Sequence, residues 1–94
     1  MKLVRTVQSD QDVEAIADYI AQDSPQAASQ WVDDIEEKLE AIAFSPGIGR
    51  ERPDVQKGLR TLAFGNYLIC YRQISSGVEI LRVFHGARLW QDLL

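Results

Sequence analysis

Val78-Glu79-Ile80-Leu81-Arg82-Val83-Phe84-His85, followed by Gly86-Ala87-Arg88, is the stretch on which the fold turns. It is rich in β-branched and aromatic residues and reads as the last strand. Simple alternation sets Val78, Ile80, Arg82 and Phe84 on one face and Leu81, Val83 and His85 on the other. Just before it, Ser75-Ser76-Gly77 makes a turn. Upstream of that turn, Leu59–Phe64 and Tyr67–Ile74 are strand-like and flank Gly65-Asn66, a two-residue hairpin signal. Three antiparallel strands follow. The tail beyond Gly86 can add a short helical turn built on Leu89, Trp90, Leu93 and Leu94.

Toward the N-terminus the pattern changes to helical spacing. Residues 2–7 are short and β-branched and predict a brief first strand. Ser9 with Asp12 three residues on resembles a capping box. Val13, Ile16, Ala17, Ile20 and Ala21 then form one apolar helical face ending near Gln22. Ser24-Pro25 starts a second helix, with serine as cap and proline at the first helical position. Ala28, Trp31, Val32, Ile35, Leu39 and Ile42 continue it to Phe44, opposite Asp33, Asp34, Glu36, Glu37 and Glu40. So short a connection folds the helices back as an antiparallel pair. Ser45-Pro46-Gly47 stops the second helix, and the chain to Gly58 reads as a long loop of the kind that often carries function.

The expected fold class is α+β. An N-terminal strand and an antiparallel helix hairpin pack on one face of a small, mainly antiparallel sheet with a short C-terminal tail. The other sheet face is left open or reserved for a partner. All 94 residues fit one domain. No apolar run is long enough for a membrane span and no signal peptide is evident, so the expectation is a cytoplasmic protein with no membrane partner.

Charge is unevenly spread. Residues 1–45 hold three Lys/Arg against ten Asp/Glu, a balance of −7, and residues 46–94 hold seven against four, a balance of +3. The acidic half and the sequence pI of about 4.8 disfavour general nucleic-acid binding, and no sequence-specific DNA binding by the chain alone is expected. One histidine and one cysteine cannot build a usual zinc site, and no phosphate-binding glycine loop or nucleophile elbow is present. No metal and no cofactor are expected.

His85 is the best single candidate for acid–base work, its ordinary pKa lying near neutrality; the competing reading is a structural or partner-contacting side chain. Arg60, Arg72, Arg82 and Arg88 belong to the three-strand region and its exit. They can gather to grip a phosphate or carboxylate, or stand apart over apolar surface. Cys70, mid-strand between apolar neighbours, reads as a buried, inert thiol, and Trp31 as part of the helix–sheet core. Trp90, with Leu89, Leu93 and Leu94, either folds back as a cover or forms a sticky surface that another chain hides.

The whole arrangement resembles the ParE/RelE toxin superfamily of type II toxin–antitoxin modules. The resemblance rests on Ile16-Ala17-Asp18-Tyr19-Ile20-Ala21 with Asp23-Ser24-Pro25, and on Ser45-Pro46-Gly47-Ile48-Gly49-Arg50. Two further stretches carry it: Gly58-Leu59-Arg60 leading to Tyr67-Leu68-Ile69-Cys70-Tyr71-Arg72, and Val78 to Arg88. In this superfamily RelE-like members cleave messenger RNA on the ribosome, and ParE-like members poison DNA gyrase without an obvious hydrolytic centre. The resemblance implies a cognate antitoxin whose helical segment lies across apolar grooves, and a homo-oligomer within such a complex. The third strand begins Asn66-Tyr67-Leu68, with leucine where a ribonuclease arginine is expected, and Gln91-Asp92-Leu93-Leu94 lacks tyrosine or lysine. The ending is therefore more like the ParE branch. That branch implies a non-enzymatic gyrase inhibitor with Arg60, Arg82, His85, Arg88, Leu89, Trp90 and Leu93 as target or partner contacts. The ribonuclease alternative would use His85 for proton transfer and Arg60, Arg72 and Arg88 for phosphate. A third alternative is a non-toxic, antitoxin-binding relative.

Overall fold

The computed structural model describes residues 2–86 and 90–94. The elements run β1 (Lys2–Arg5), α1 (Val7–Ala21), α2 (Pro25–Phe44), β2 (Arg50–Glu51), β3 (Leu59–Phe64), β4 (Tyr67–Ile74) and β5 (Gly77–His85). Short 3-10 turns occupy Pro46–Ile48 and Trp90–Leu93. The strands form one sheet in the order β1-β5-β4-β3-β2. All neighbours are antiparallel except β1, which lies parallel to β5. The expected α+β class holds.

The first strand is shorter than residues 2–7, because Thr6 turns the chain into α1. Thr6, not Ser9, is the N-cap. Its Oγ1 accepts the Ser9 N–H at 3.0 Å and donates to the Leu81 carbonyl at 2.8 Å. Ser9 is buried, its hydroxyl donating to the Thr6 carbonyl at 2.8 Å. Asp12 does not close a capping box. Its carboxylate leaves the helix to take the Arg82 fork at 2.7 and 2.9 Å and the Val83 N–H at 2.9 Å. Arg5 ties the strand end to both helices: its Nη1 donates to Glu36 of α2, and its Nε lies 2.8 Å from Asp10 of α1.

The second helix begins where serine and proline place it, with Ser24 Oγ accepting the Ala27 N–H at 3.1 Å. Ile35, Leu39 and Ile42 lie one or two turns apart and are completely buried against Ile69, Tyr71, Val78 and Ile80. Each such side chain contributes roughly 1.5–3 kcal/mol by leaving water.

The stretch from Ser45 to Gly58, expected as loop, supplies a fifth strand. Arg50 and Glu51 pair with Thr61 and Arg60. A buried tyrosine organises this segment: Tyr71 Oη donates to the Pro46 carbonyl at 2.6 Å and accepts the Gly49 N–H at 2.8 Å. Arg60 adds a hydrogen bond from Nη1 to the Gly49 carbonyl at 2.8 Å. Long-range partners of this kind leave no trace in local turn chemistry.

Simple alternation fails within β5. Tyr71 faces Ile80 while its neighbour Cys70 faces Arg82, so Leu81 is the extra residue of a β-bulge. Past the bulge the faces exchange. Val83 joins Val78 and Ile80 beneath the helices, and Phe84, with Leu81 packed nearby, belongs to the opposite cluster. That opposite face is not left open. Leu59, Cys70, Phe84 and Trp90 bury one another there, with Val55 and Leu68 at the margin. Trp90 is thus a fold-back cover, while Leu93 and Leu94 beside it remain exposed. The Gly65-Asn66 hairpin is present, with Gly65 at φ +58°.

Cys70 has no solvent exposure, and burial pushes its thiol up to about 12 from the ordinary 9.0. A raised folded-state pKa stabilises the native chain fully below the unfolded thiol's pKa and is lost as pH climbs through the folded value. Stability is therefore expected to fall between pH 9 and about 12. Cys70→Ala should flatten that decline in urea titrations. The native thiol should also resist a disulfide reagent at pH 8 until the chain is unfolded; rapid labelling of folded protein would contradict its burial.

Candidate functional site

The residues nominated from sequence lie at different ends of the sheet. His85 is the exposed last residue of β5 and faces Tyr67 edge-on, ring centroids 5.6 Å apart. Tyr67 in turn meets Trp31 at 5.3 Å, and Trp31 meets Phe64 at 6.4 Å. This aromatic row closes the end of the core beneath α2. The Trp31 indole N–H is buried without a hydrogen-bond acceptor among the described residues.

Arg72 pairs with Leu59 and Glu79, five residues along β4 from the Tyr67–His85 pair. At about 3.4 Å per residue the separation is roughly 17 Å. Arg60, opposite Tyr71, is nearly as distant. Neither arginine can share one phosphate group with His85.

Each described arginine of the nominated set also has its own acid. Arg60 Nη2 reaches Glu51 at 3.1 Å, and Arg72 Nε reaches Glu79 at 2.7 Å. Arg82 is the most constrained. Besides its two-pronged bond to Asp12 it stands 4.7 Å over the Phe84 ring, and its Nη1 lies 3.4 Å from the Leu93 carbonyl. The hydrogen bond to Asp12 raises its pKa above the usual guanidinium value. Of the two readings of these arginines, separate side chains is the one observed. The Arg72–Glu79 pair is largely exposed and contributes at most about 1 kcal/mol. Arg88 and Leu89 lie outside the described residues.

The structure adds one cation that sequence reading passed over. Arg52 stacks 5.0 Å from the Trp90 ring centre and forks onto Asp54 at 3.0 and 2.9 Å. The Asp54 carboxyl is held below its ordinary range, chiefly by that hydrogen bond. Arg52-Pro53-Asp54 is a turn sequence, and the tryptophan beneath it comes from the far end of the chain. A hollow of about 460 Å3 beside this stack brings Arg52, Tyr67, His85 and Trp90 to one margin of the sheet. Among the described residues no group of three His, Cys, Asp or Glu side chains could hold a metal ion, and no helix is long and apolar enough to cross a membrane. The margin offers aromatic surface, one imidazole and one neutralised guanidinium, a composition suited to contact.

Comparison with known proteins agrees with this architecture. Residues 3–90 match the family described as ParE toxin of type II toxin-antitoxin system, parDE. The chain is 38% identical over 84 residues to Y4kP of Sinorhizobium fredii, covering 87% of this chain and 84% of that protein. It is 28% identical over 86 residues to Toxin ParE3 of Caulobacter vibrioides, covering 90% and 86%. Among solved structures, a chain of the chromosomal ParDE TA system from P. aeruginosa superposes with a TM-score of 0.77 at 28% identity, covering 90% of this chain and 95% of that one. With a match over residues 3–90 and a shared fold, the chain belongs to the ParE toxin family of type II toxin–antitoxin systems.

Proposed function

We propose that the protein is the toxin of a toxin–antitoxin pair, that it inhibits DNA gyrase by protein–protein contact, and that a cognate antitoxin holds it inactive. The observation that carries the gyrase reading over messenger RNA cleavage is the dispersal of the cations. A ribonuclease centre needs phosphate-gripping groups and a proton-transfer group within hydrogen-bond reach of one substrate. Here His85 stands roughly 17 Å along the sheet from Arg72, and Arg60, Arg72 and Arg82 are each engaged by an acid of the same chain. Exposed apolar side chains, among them Phe44, Ile48, Leu93 and Leu94, suit contact with another protein.

Purified chain in stoichiometric excess is expected to block gyrase supercoiling or to accumulate cleaved DNA. Prior incubation with the product of the adjoining reading frame should restore supercoiling. The Arg52–His85–Tyr67 margin gives the ribonuclease alternative its one foothold. A translation extract with a defined message tests it. A cut in the ribosomal A site, with gyrase unaffected, would replace the proposed target.

A further inference from the structure

One side of α2 runs against the rules that stabilise a helix. Asp33, Glu37, Glu40 and Phe44 follow one another at four-, three- and four-residue steps, so they line a single stripe, and all four are exposed. Like charges at such steps repel. Acids near the C-terminal end of a helix also oppose its dipole, which favours cations there. Yet α2 has no acid in its first turn and no base in its last, and Glu40 stands one turn from its end. Elsewhere the chain sets its acids beside its arginines: Arg5, Arg52, Arg60, Arg72 and Arg82 each hold at least one. Asp33, Glu37 and Glu40 have no ion-pair partner among the described residues, and Lys38, the one cation of α2, pairs with none of them.

An apolar side chain completes the stripe. Phe44 is 86% exposed, and Ile48 four residues on is 45% exposed. A hollow of about 450 Å3 is lined by Glu37, Glu40, Ala41, Ala43 and Phe44. A ring this far in water adds nothing to the core, and its face attracts cations. Apolar surface rimmed by polar groups marks a contact with another protein, and the uncompensated acids require that protein to be basic where it touches. Phe44 ends α2 thirteen residues after Trp31, roughly 20 Å along the axis. The stripe is therefore separate from the aromatic margin at Tyr67 and His85.

We infer that the Asp33–Glu37–Glu40–Phe44 stripe docks on a cationic surface of gyrase, with Phe44 as the apolar anchor and the acids on lysines or arginines around it. The inference rests on the gyrase reading above. An enzyme that holds DNA presents such surfaces, because phosphate affinity rests mainly on neutralising cations. The stripe itself repels nucleic acid. Symmetric pairing with a second copy of this chain would set the same acids face to face.

Binding of labelled full-length chain to purified gyrase, together with inhibition of supercoiling, tests this. Glu37→Lys combined with Glu40→Lys should raise the concentration for half-inhibition about tenfold or more. The same double variant should melt at an equal or higher temperature, because cations suit that end of the helix. Phe44→Ser removes only an exposed ring and should weaken inhibition about tenfold as well. Wild-type binding should weaken as salt rises, and the double variant's binding should depend on salt less. Both variants should keep full affinity for the product of the adjoining reading frame. Undiminished inhibition by both variants, or inhibition lost only along with the fold, overturns the inference and leaves the gyrase reading standing. Affinity for the adjoining product lost in step with gyrase binding would assign the stripe to the antitoxin and overturn the inference too. No inhibition by the wild-type chain overturns both.

Discussion

Gly77→Ala is expected to destabilise the protein by about 3 kcal/mol or more, placing it among the severe backbone-packing substitutions. Gly77 opens β5 opposite Lys2 of β1. A methyl group there would run into the Lys2 backbone, its carbonyl oxygen, nitrogen and carbonyl carbon being the three nearest atoms. None of these is the yielding end of a side chain, so either β1 moves away or the pairing breaks. Separation would cost the Lys2 N–H its 2.9 Å bond to the Ser76 carbonyl and the rest of the parallel register to Arg5–Ile80. Leu3 would lose its packing against the main core. In a domain this small, a loss of that size lowers the melting temperature by roughly 12–24 °C. Thermal unfolding followed by circular dichroism measures it, with exposed Ser76→Ala as the control. A shift of only a few degrees for Gly77→Ala would mean the strands approach less closely than described.

The second large effect is expected at Tyr71. Tyr71→Phe keeps the ring but strips the hydroxyl that serves both the Pro46 carbonyl and the Gly49 N–H. Leaving these groups without their partner costs about 2–3 kcal/mol. Tyr71→Ala adds a core cavity and should cost about 4–5 kcal/mol. Gly49→Ala attacks the same contact from the other side, because its Cβ would stand 2.5 Å from Tyr71 Oη and 2.7 Å from the ring. Combined, Gly49→Ala and Tyr71→Phe should cost less than the sum of the separate losses, since both disrupt one contact. Urea midpoints give the energies. Faster amide exchange at Gly49 in Tyr71→Phe would show that the segment from Pro46 to Glu51 has loosened; unchanged exchange and midpoint would rule the clamp out.

The candidate site was less legible in sequence than the fold. His85 and Arg82 could be named from the last strand. Their surroundings could not, because Asp12 and Tyr67 are distant in sequence and an unseen bulge at Leu81 decides which side chains share a face. Arg52 went unnoticed for a related reason: nothing near it in sequence announces that Trp90 will lie beneath its guanidinium. The dispersal of the arginines emerged only once each was seen beside its acid.

By itself the sequence determined the two helices, the three-strand run, the hairpin at Gly65-Asn66, the burial of Cys70 and the family. Each of the structural features depends on residues a few positions apart: the repeat of Ala28, Trp31, Ile35, Leu39 and Ile42, the Ser24-Pro25 start, and the glycine that admits φ +58°. Tertiary structure alone decided that β1 lies parallel to β5, that Arg50-Glu51 becomes a strand, that the faces exchange at Leu81, and that Trp90 covers the second apolar face. Those outcomes depend on pairing between groups far apart in the chain. Such pairing is selected by competing loop closures, burial and hydrogen-bond satisfaction across the molecule, and not by the conformational preference of any one segment.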